Sequence, residues 1–217
     1  MNIDLMRERY LKLYTGVIGD ALDKRGYRNQ TLPEWIQART EANRVAGVAF
    51  TGQGFPELDA AGSDMESRVK MLDGITPGTV SVWSCNGSRN CAHWGELMST
   101  AARERGCTGA VLDGGLRDTD FVNAMGYPVF AAFQHPGSSI GRWAIKEWCV
   151  PVTIGGVRIE PGDFIFGDVD GVVVVPAPLT EDVLAEAEDT FAREKGMRED
   201  LRRGVTVQAA YEKYGAL

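Results

Sequence analysis

Histidine is scarce in this 217-residue sequence. Only His93 and His135 occur, and neither has a second imidazole at helical spacing. That argues against a zinc site, which draws on clustered His and Cys ligands. It also undercuts Gly137-Ser138-Ser139-Ile140-Gly141, a formal match to G-x-S-x-G. A serine nucleophile of that kind needs a histidine later in the chain, and both histidines precede Ser139. A plain glycine-serine loop is the reading that remains. His93 itself reads as a partly exposed loop residue, with a pocket-lining role as the alternative.

Other absences narrow the field further. The four cysteines show no C-x-x-C spacing, so they read as reduced, mostly buried thiols of a cytoplasmic chain with core to spare. No basic run exists, and 23 Lys and Arg against 30 Asp and Glu give a net charge of −7. Nucleic acid, which is bound through clustered cations, is therefore excluded as the expected partner. No apolar run is long enough to span a bilayer, and Met1-Asn2-Ile3-Asp4 does not open a signal peptide. There is no G-x-x-x-x-G-K-[ST], and Asp113-Gly114-Gly115 is too short for a dinucleotide fingerprint. Asp168 and Asp170 lack the remaining positions of a calcium loop and read as hairpin-turn carboxylates.

What is present suits one mixed α/β domain over residues 1–217. Met1 to Gly26 reads as two helical pieces, with Thr15 as cap of the second and Gly26 as its stop. Val45 to Thr51 reads as a strand broken by Gly52-Gln53-Gly54. Ser63 to Asp73 reads as a helix with Met65, Val69 and Leu72 facing inward. Thr79 to Ser84 reads as a strand in which Val80, Val82 and Ser84 alternate with Thr79, Ser81 and Trp83, before a polar loop from Cys85 to Trp94. Helix–strand alternation gives way to hairpins after Arg142, including a Gly155-Gly156 turn. The valines from Val172 to Val175 read as buried on both faces. Thr180 caps a C-terminal helix with Arg193 and Lys195 near its end, and Val205 to Tyr214 forms a last amphipathic piece. The helical pieces at about 1–26 and 179–217 read as extensions of the domain.

One stretch carries chemistry. Gly95 to Gly106 reads as a helix, Cys107 to Leu112 as a buried strand, and Asp113 to Asp118 as a glycine-loosened turn. Glu96 then lies at a helix start, and Arg117 and Asp118 at the carboxyl end of the next strand, where ligands collect in open α/β sheets. Helix starts at Gly95 and Asp118 would direct free N–H groups at an anion. Two acids suit Mg²⁺ or Mn²⁺, and the adjacent Arg suits a carboxylate or a developing oxyanion. On residue types alone, a surface Glu and an ordinary Arg–Asp ion pair remain open.

Gly95-Glu96-Leu97 followed by Gly109-Ala110-Val111-Leu112-Asp113-Gly114-Gly115-Leu116-Arg117-Asp118 resembles the core of the RraA-like family. Ile18-Gly19-Asp20-Ala21-Leu22-Asp23 and Gly167-Asp168-Val169-Asp170-Gly171 running into Val172 to Pro176 are similar as well, so the resemblance covers about Thr15 to Pro178. The family's enzymes are class II 4-hydroxy-4-methyl-2-oxoglutarate/4-carboxy-4-hydroxy-2-oxoadipate aldolases. The resemblance implies a β/β/α sandwich like the swivelling phosphohistidine domains, assembled as a homotrimer or homohexamer with active sites between subunits. It implies an acid, twenty intervening residues and Arg-Asp, here Glu96, Arg117 and Asp118. The usual acid is Asp, so Glu96 adds one methylene.

By the same resemblance Asp118 holds Mg²⁺ or Mn²⁺ directly and Glu96 holds it through water. Arg117 contacts the pyruvyl group, and the N–H groups of Gly95, Glu96, Leu97 and Met98 bind the substrate carboxylate. A glutamate from a neighbouring subunit, among Glu186, Glu188 and Glu194, completes the site. The expected reaction cleaves a 4-hydroxy-2-oxo acid to pyruvate, with oxaloacetate decarboxylation as a side activity. A non-catalytic regulator that binds a ribonuclease, or another lyase or hydratase working through the same enolate, are the alternatives.

Overall fold

The computed structural model describes residues 2–57 and 63–215; Met1 and residues 216–217, parts of the terminal helical expectations, lie outside them. The chain opens with α1 (Ile3–Tyr10), where the Asn2 side chain accepts the Asp4 N–H, and continues into α2 (Thr15–Lys24). Thr15 does not cap α2. It is the first helical residue, and its N–H and hydroxyl both donate to the buried Asp168 carboxylate at 2.8 Å. Asp168 thus caps α2 from 153 residues away, and its hairpin-turn position is where that cap is supplied.

Next come β1 (Gln37–Ala38) and β2 (Val45–Pro56). Gly52 and Gly54 do not end β2 as expected. A Cβ at Gly52 would overlap the Trp83 ring, and one at Gly54 would overlap Trp143. The glycines let two indoles lie flat on a strand that continues. Then follow α3 (Ser63–Asp73), β3 (Thr79–Ser84) and β4 (Ala92–Trp94), the last a short strand inside the expected polar loop. The central stretch forms α4 (Glu96–Glu104) and β5 (Ala110–Leu116). The expected glycine-loosened turn is strand as far as Leu116, because Gly115 and Leu116 pair with Ala92 and Trp94 of β4.

After α5 (Thr119–Ala124) and β6 (Val129–Gln134) come β7 (Trp143–Trp148), the hairpin β8 (Val152–Ile154) and β9 (Val157–Ile159), and the hairpin β10 (Phe164–Asp168) and β11 (Gly171–Val175). A 3-10 turn leads into α6 (Thr180–Arg202) and α7 (Val207–Tyr214). Thr180 is helical rather than a cap, its hydroxyl donating to the Ala177 carbonyl, and α6 runs well past Lys195.

The strands form a nine-stranded mixed sheet in the order β1-β6-β5-β3-β2-β10-β11, with β4 on β5 and β7 on β2. The steps β2-β3, β3-β5 and β5-β6 are parallel, and β10 and β11 complete the sheet antiparallel. Residues 30–32 bond to β11: the Leu32 N–H donates to Val172 and the Val174 N–H to Gln30. This nearly closes the sheet. Its interior holds Val80, Val82, Val111, Phe130, Ile165 and Val174. On one side α1, α2 and α6 cover Phe164, Phe166, Val173 and Val175; on the other, Trp83, Trp94, Met98, Leu116 and Trp143 form the core beneath the cavity described next. The β3 alternation therefore separates two cores rather than core from solvent, since all six of its residues are buried.

Candidate active site

A cavity of about 450 Å³ opens among α3, β4, the start of α4, the end of β5 and the loop 137–141. Its size falls in the roughly 300–1,000 Å³ range of small-molecule sites. It brings together the site residues of the central stretch: Gly95, Glu96, Leu97, Met98, Arg117 and Asp118 all line it.

The junction of α4 and β5 is tight. Asp118 Oδ2 accepts the Glu96 N–H at 3.4 Å and lies 3.3 Å from Arg117 Nε. One carboxylate therefore meets the positive end of α4 and a guanidinium together. Asp118 holds a left-handed backbone, φ 57° and ψ 34°, a strain of about 1 kcal/mol or more for a residue other than glycine. That turn takes the chain from β5 into α5 and leaves the carboxylate over α4. Gly95 is extended, so any residue could adopt its backbone; the constraint is space. A Cβ there would meet Asp118 Oδ2 at 2.8 Å and Arg117 Cγ at 3.1 Å. The second expected helix start contributes less, for α5 has six residues and gives the cavity only Phe121 beyond its Asp118 cap.

Glu96 points elsewhere. Its Oε1 accepts the Thr100 hydroxyl one turn along α4 at 2.9 Å. The N-cap residue of α4, Gly95, has no side chain to cap it, so beyond the Glu96 N–H taken by Asp118 the N–H groups of Leu97 and Met98 are available to an anion. Leu97 is exposed at the mouth, whereas Met98 is buried in the wall.

His93 is the pocket-lining alternative realised, and it is buried on β4 rather than exposed in a loop. Its Nδ1 accepts the Gly115 N–H at 2.9 Å, its Nε2 lies 3.5 Å from Cys91 Sγ, and the ring stands edge-on to Trp143. Gly114 makes this possible, since a Cβ there would strike the ring. Burial first, then the charges of Arg68 and His135, push the His93 pKa down to about 4. With both nitrogens engaged, it is a neutral wall and not a base. Ser139 has no imidazole partner among the described residues; the His135 Nδ1 accepts from Gly137 instead, in keeping with a plain loop.

Two readings of α3 change. Met65 and Val69 are not core; they are exposed into the cavity, and Met71 is the fully buried residue of that helix. Arg68, which sequence reasoning passed over, lies on the same stripe three residues after Met65, so a cation within an apolar repeat was the available signal. Trp83, Trp94 and Trp143 are core residues, and only Trp94 also lines the cavity. Cys85, Cys91 and Cys107 are buried free thiols, and Cys149 is exposed.

Among the described residues no three His, Cys, Asp or Glu side chains cluster as a metal cage. A cation held by one or two carboxylates, with water and substrate oxygens completing its shell, does not need one. Asp118, half-exposed with Oδ2 engaged by N–H donors, leaves Oδ1 to face such an ion, and Glu96 lines the same cavity. The donor set fits a hard divalent cation. The glutamates considered as a neighbour's contribution are all engaged within their own chain: Glu186 with Lys24 and Arg25, Glu188 with Arg9, and Glu194 with Tyr14 and Arg198.

A family model described as RraA-like, Aldolase/RraA, matches residues 15–174. A protein of Halalkalibacterium halodurans, provisionally named 4-hydroxy-4-methyl-2-oxoglutarate aldolase, is 33% identical over 206 residues, covering 92% of this chain and 90% of its own. Protein DlpA of Legionella pneumophila is 30% identical over 198 residues; the match spans 91% of this chain but only 32% of DlpA. Among solved structures, Streptomyces coelicolor RraAS2, described as an unusual member of the RNase ES inhibitor RraA protein family, superposes with a TM-score of 0.80. It is 26% identical, over 90% of this chain and 97% of its own.

Proposed function

The chain belongs to the RraA-like family, and on that premise we propose that it is a divalent-metal-dependent aldolase. Its substrate is a 4-hydroxy-2-oxo acid such as 4-hydroxy-4-methyl-2-oxoglutarate, cleaved to pyruvate and a second carbonyl compound. The observation that carries this reading is the joining of Arg117, Asp118 and the start of α4 at one cavity, with Asp118 bonded to both of the others.

The proposed roles are these. The N–H groups of Leu97 and Met98 bind the substrate carboxylate, where the helix dipole favours an anion. Arg117, steadied by Asp118, faces the 2-oxo oxygen and stabilises the negative charge that gathers there. Glu96 takes up, through an ordered water, the proton leaving the C4 hydroxyl. The C3–C4 bond then breaks, its electron pair forming the C2–C3 double bond of pyruvate enolate while C4–O becomes the carbonyl of the departing product. The proton returns to C3. A divalent cation held by Asp118, with Glu96 reaching it through water, supplies Lewis-acid stabilisation of the 2-oxo acid. His93 shapes the wall and exchanges no proton. Oxaloacetate decarboxylation runs through the same enolate and is the expected side activity.

The proposal extends to the assembly. Leu97 and Phe121 are 77% and 68% exposed at the cavity mouth, which favours a second copy of the chain as their cover, in a homotrimer or homohexamer. A cytoplasmic location belongs to the same reading, supported by three buried free thiols; among the described residues no helix is long and apolar enough to cross a membrane.

Pyruvate release from 4-hydroxy-4-methyl-2-oxoglutarate, with and without Mg²⁺ or Mn²⁺, tests this. Asp118→Asn should lower the metal-dependent rate about a hundredfold or more. Asn tolerates the left-handed backbone, so the fold is kept. No pyruvate from any 4-hydroxy-2-oxo acid would sink the aldolase reading. The likeness to RraAS2 over most of both chains favours a second reading, a ribonuclease-binding regulator, which the same negative result would promote. Product identification across a 2-oxo acid panel separates a different lyase or hydratase.

A further inference from the structure

Two adjacent hydroxyls on α4 are used differently. The buried Ser99 hydroxyl donates back to the Gly95 carbonyl at 2.9 Å and accepts from Trp94 Nε1 at 2.8 Å, so it serves the fold. The Thr100 hydroxyl instead donates to a side chain, Glu96 Oε1, at 2.9 Å. Residues four apart share one face of a helix. The acid that lines the cavity therefore has its hydroxyl partner directly behind it, one turn on.

Thr100 is itself held. Its Oγ1 lies 3.2 Å from Met125 Sδ. A hydroxyl has one hydrogen, and a carboxylate is a stronger acceptor than a thioether, so the sulfur acts as packing. Met125 is fixed in turn, because Arg103 Nη1 donates to its carbonyl at 2.7 Å. The branched side chain of Thr100 also has few rotamers within a helix. Glu96 is thereby tied at both ends: its N–H donates to Asp118 Oδ2 at 3.4 Å, and its carboxylate accepts from Thr100. The second tie is neutral. It leaves the charge of Glu96 in place and its other oxygen, Oε2, to accept a proton.

We propose that Thr100 is the positioning residue for Glu96, fixing the carboxylate in the rotamer that lines the cavity. This deepens, and rests on, the reading of Glu96 as the proton acceptor of an aldolase. Glutamate has three side-chain torsions against two for aspartate, so it has more conformations to lose on reaching one geometry. Misplacing a reacting group by about 1 Å costs on the order of a hundredfold. The Thr100 hydroxyl narrows that spread from within the same helix. The extra methylene of Glu96 is thus matched by a hydroxyl at the position its longer side chain reaches.

The test is pyruvate release from 4-hydroxy-4-methyl-2-oxoglutarate by the full chain in Mg²⁺ buffer, with thermal melting of each variant. Thr100→Val keeps the shape and removes the hydroxyl; it should lower kcat about tenfold and leave KM within about twofold. Thr100→Ala, which adds no new group beside Met125, should give the same split. Thr100→Ser keeps the hydroxyl and should hold kcat within about threefold of wild type. In a Glu96→Asp background the shorter acid falls short of position 100, so Thr100→Val should cost less than about twofold. A loss that passes through Glu96 is non-additive in this way, whereas general damage to α4 adds to both backgrounds alike. Wild-type kcat in Thr100→Val and Thr100→Ala, or the same tenfold loss with Asp at 96, overturns the positioning role and leaves the aldolase reading standing. No pyruvate from the wild type overturns both.

Discussion

Replacing Gly95 with alanine adds one methyl group at the most crowded point of the site. The backbone there is extended and accepts alanine freely, so the whole effect is steric. The new Cβ would lie 2.8 Å from Asp118 Oδ2, 3.1 Å from Arg117 Cγ and 3.3 Å from Arg117 Nε. Asp118 Oδ2 must retreat by about 0.6 Å to reach the 3.4 Å at which van der Waals contact becomes ordinary. Both side chains are 41% exposed, so they can swing outward instead of compressing the core. The strain should therefore appear in activity and not in folding. Displacing a positioned group by about 1 Å costs on the order of a hundredfold, equivalent to roughly 3 kcal/mol at the transition state. The stability change should stay near 1 kcal/mol, the difference between Gly and Ala at an N-cap, or about 2–4 °C at this chain length.

Pyruvate release and thermal melting, run on the same preparations, separate the two effects. Gly19→Ala is the control: Gly19 lies within α2 with nothing within 4 Å of a Cβ, so it should leave kcat/KM unchanged and stabilise by roughly 0.5–1 kcal/mol. The reasoning fails if Gly95→Ala keeps wild-type kcat/KM. It also fails if activity and melting temperature fall together, because the strain would then be spread through the fold.

Two further outcomes follow from buried groups. The His93 pKa is lowered from 6.5 to about 4, so the unfolded chain binds its proton first as pH falls. The stability linked to neutral His93 is intact above pH 6.5 and is lost progressively from 6.5 toward 4, reaching roughly 2 kcal/mol at pH 5. Urea unfolding at pH 7 and pH 5 should show a steeper loss for wild type than for His93→Asn, which keeps an acceptor for the Gly115 N–H; parallel losses would assign the acid sensitivity elsewhere. Asp168→Ala should remove the α2 cap and leave Thr15 and Asp170 donors unmet, costing roughly 2–4 kcal/mol by thermal melting. Its kcat should match wild type, and a catalytic defect in folded protein would contradict the structural role.

Local pattern gave most of the fold. The Gly155-Gly156 hairpin, the double-sided burial of Val172 to Val175 and the helical ends could be read because turn chemistry and hydrophobic period act within a few residues. The errors share a cause. Gly52 and Gly54 looked like strand breakers, Gly114 and Gly115 like a turn, and Thr15 and Thr180 like caps. In the glycine cases and at Thr15, the deciding partner lies far away in sequence: Trp83 and Trp143 for β2, His93 and Phe133 for β5, Asp168 for α2. A glycine is permissive for two reasons, conformation and space, and only the fold tells which one applies.

The same distinction explains which part of the site was legible. Glu96 and Arg117 are separated by twenty residues because the chain makes one closed excursion between them. The nine residues of α4 carry it away by roughly 13 Å. The five residues from Arg105 to Gly109 turn it, and the seven residues of β5 return it to the mouth of the cavity. The spacing is thus a geometric closure condition, visible in the sequence as a fixed count. Arg68 obeys no such condition. It reaches the cavity on α3, and its register with Arg117 depends on how α3 packs against β7 and α4, a length no motif records. The proposed catalytic end of the cavity is therefore written in the order of the chain. The α3 wall of the cavity is written in packing, which can change without disturbing the spacing that joins the start of α4 to Arg117 and Asp118.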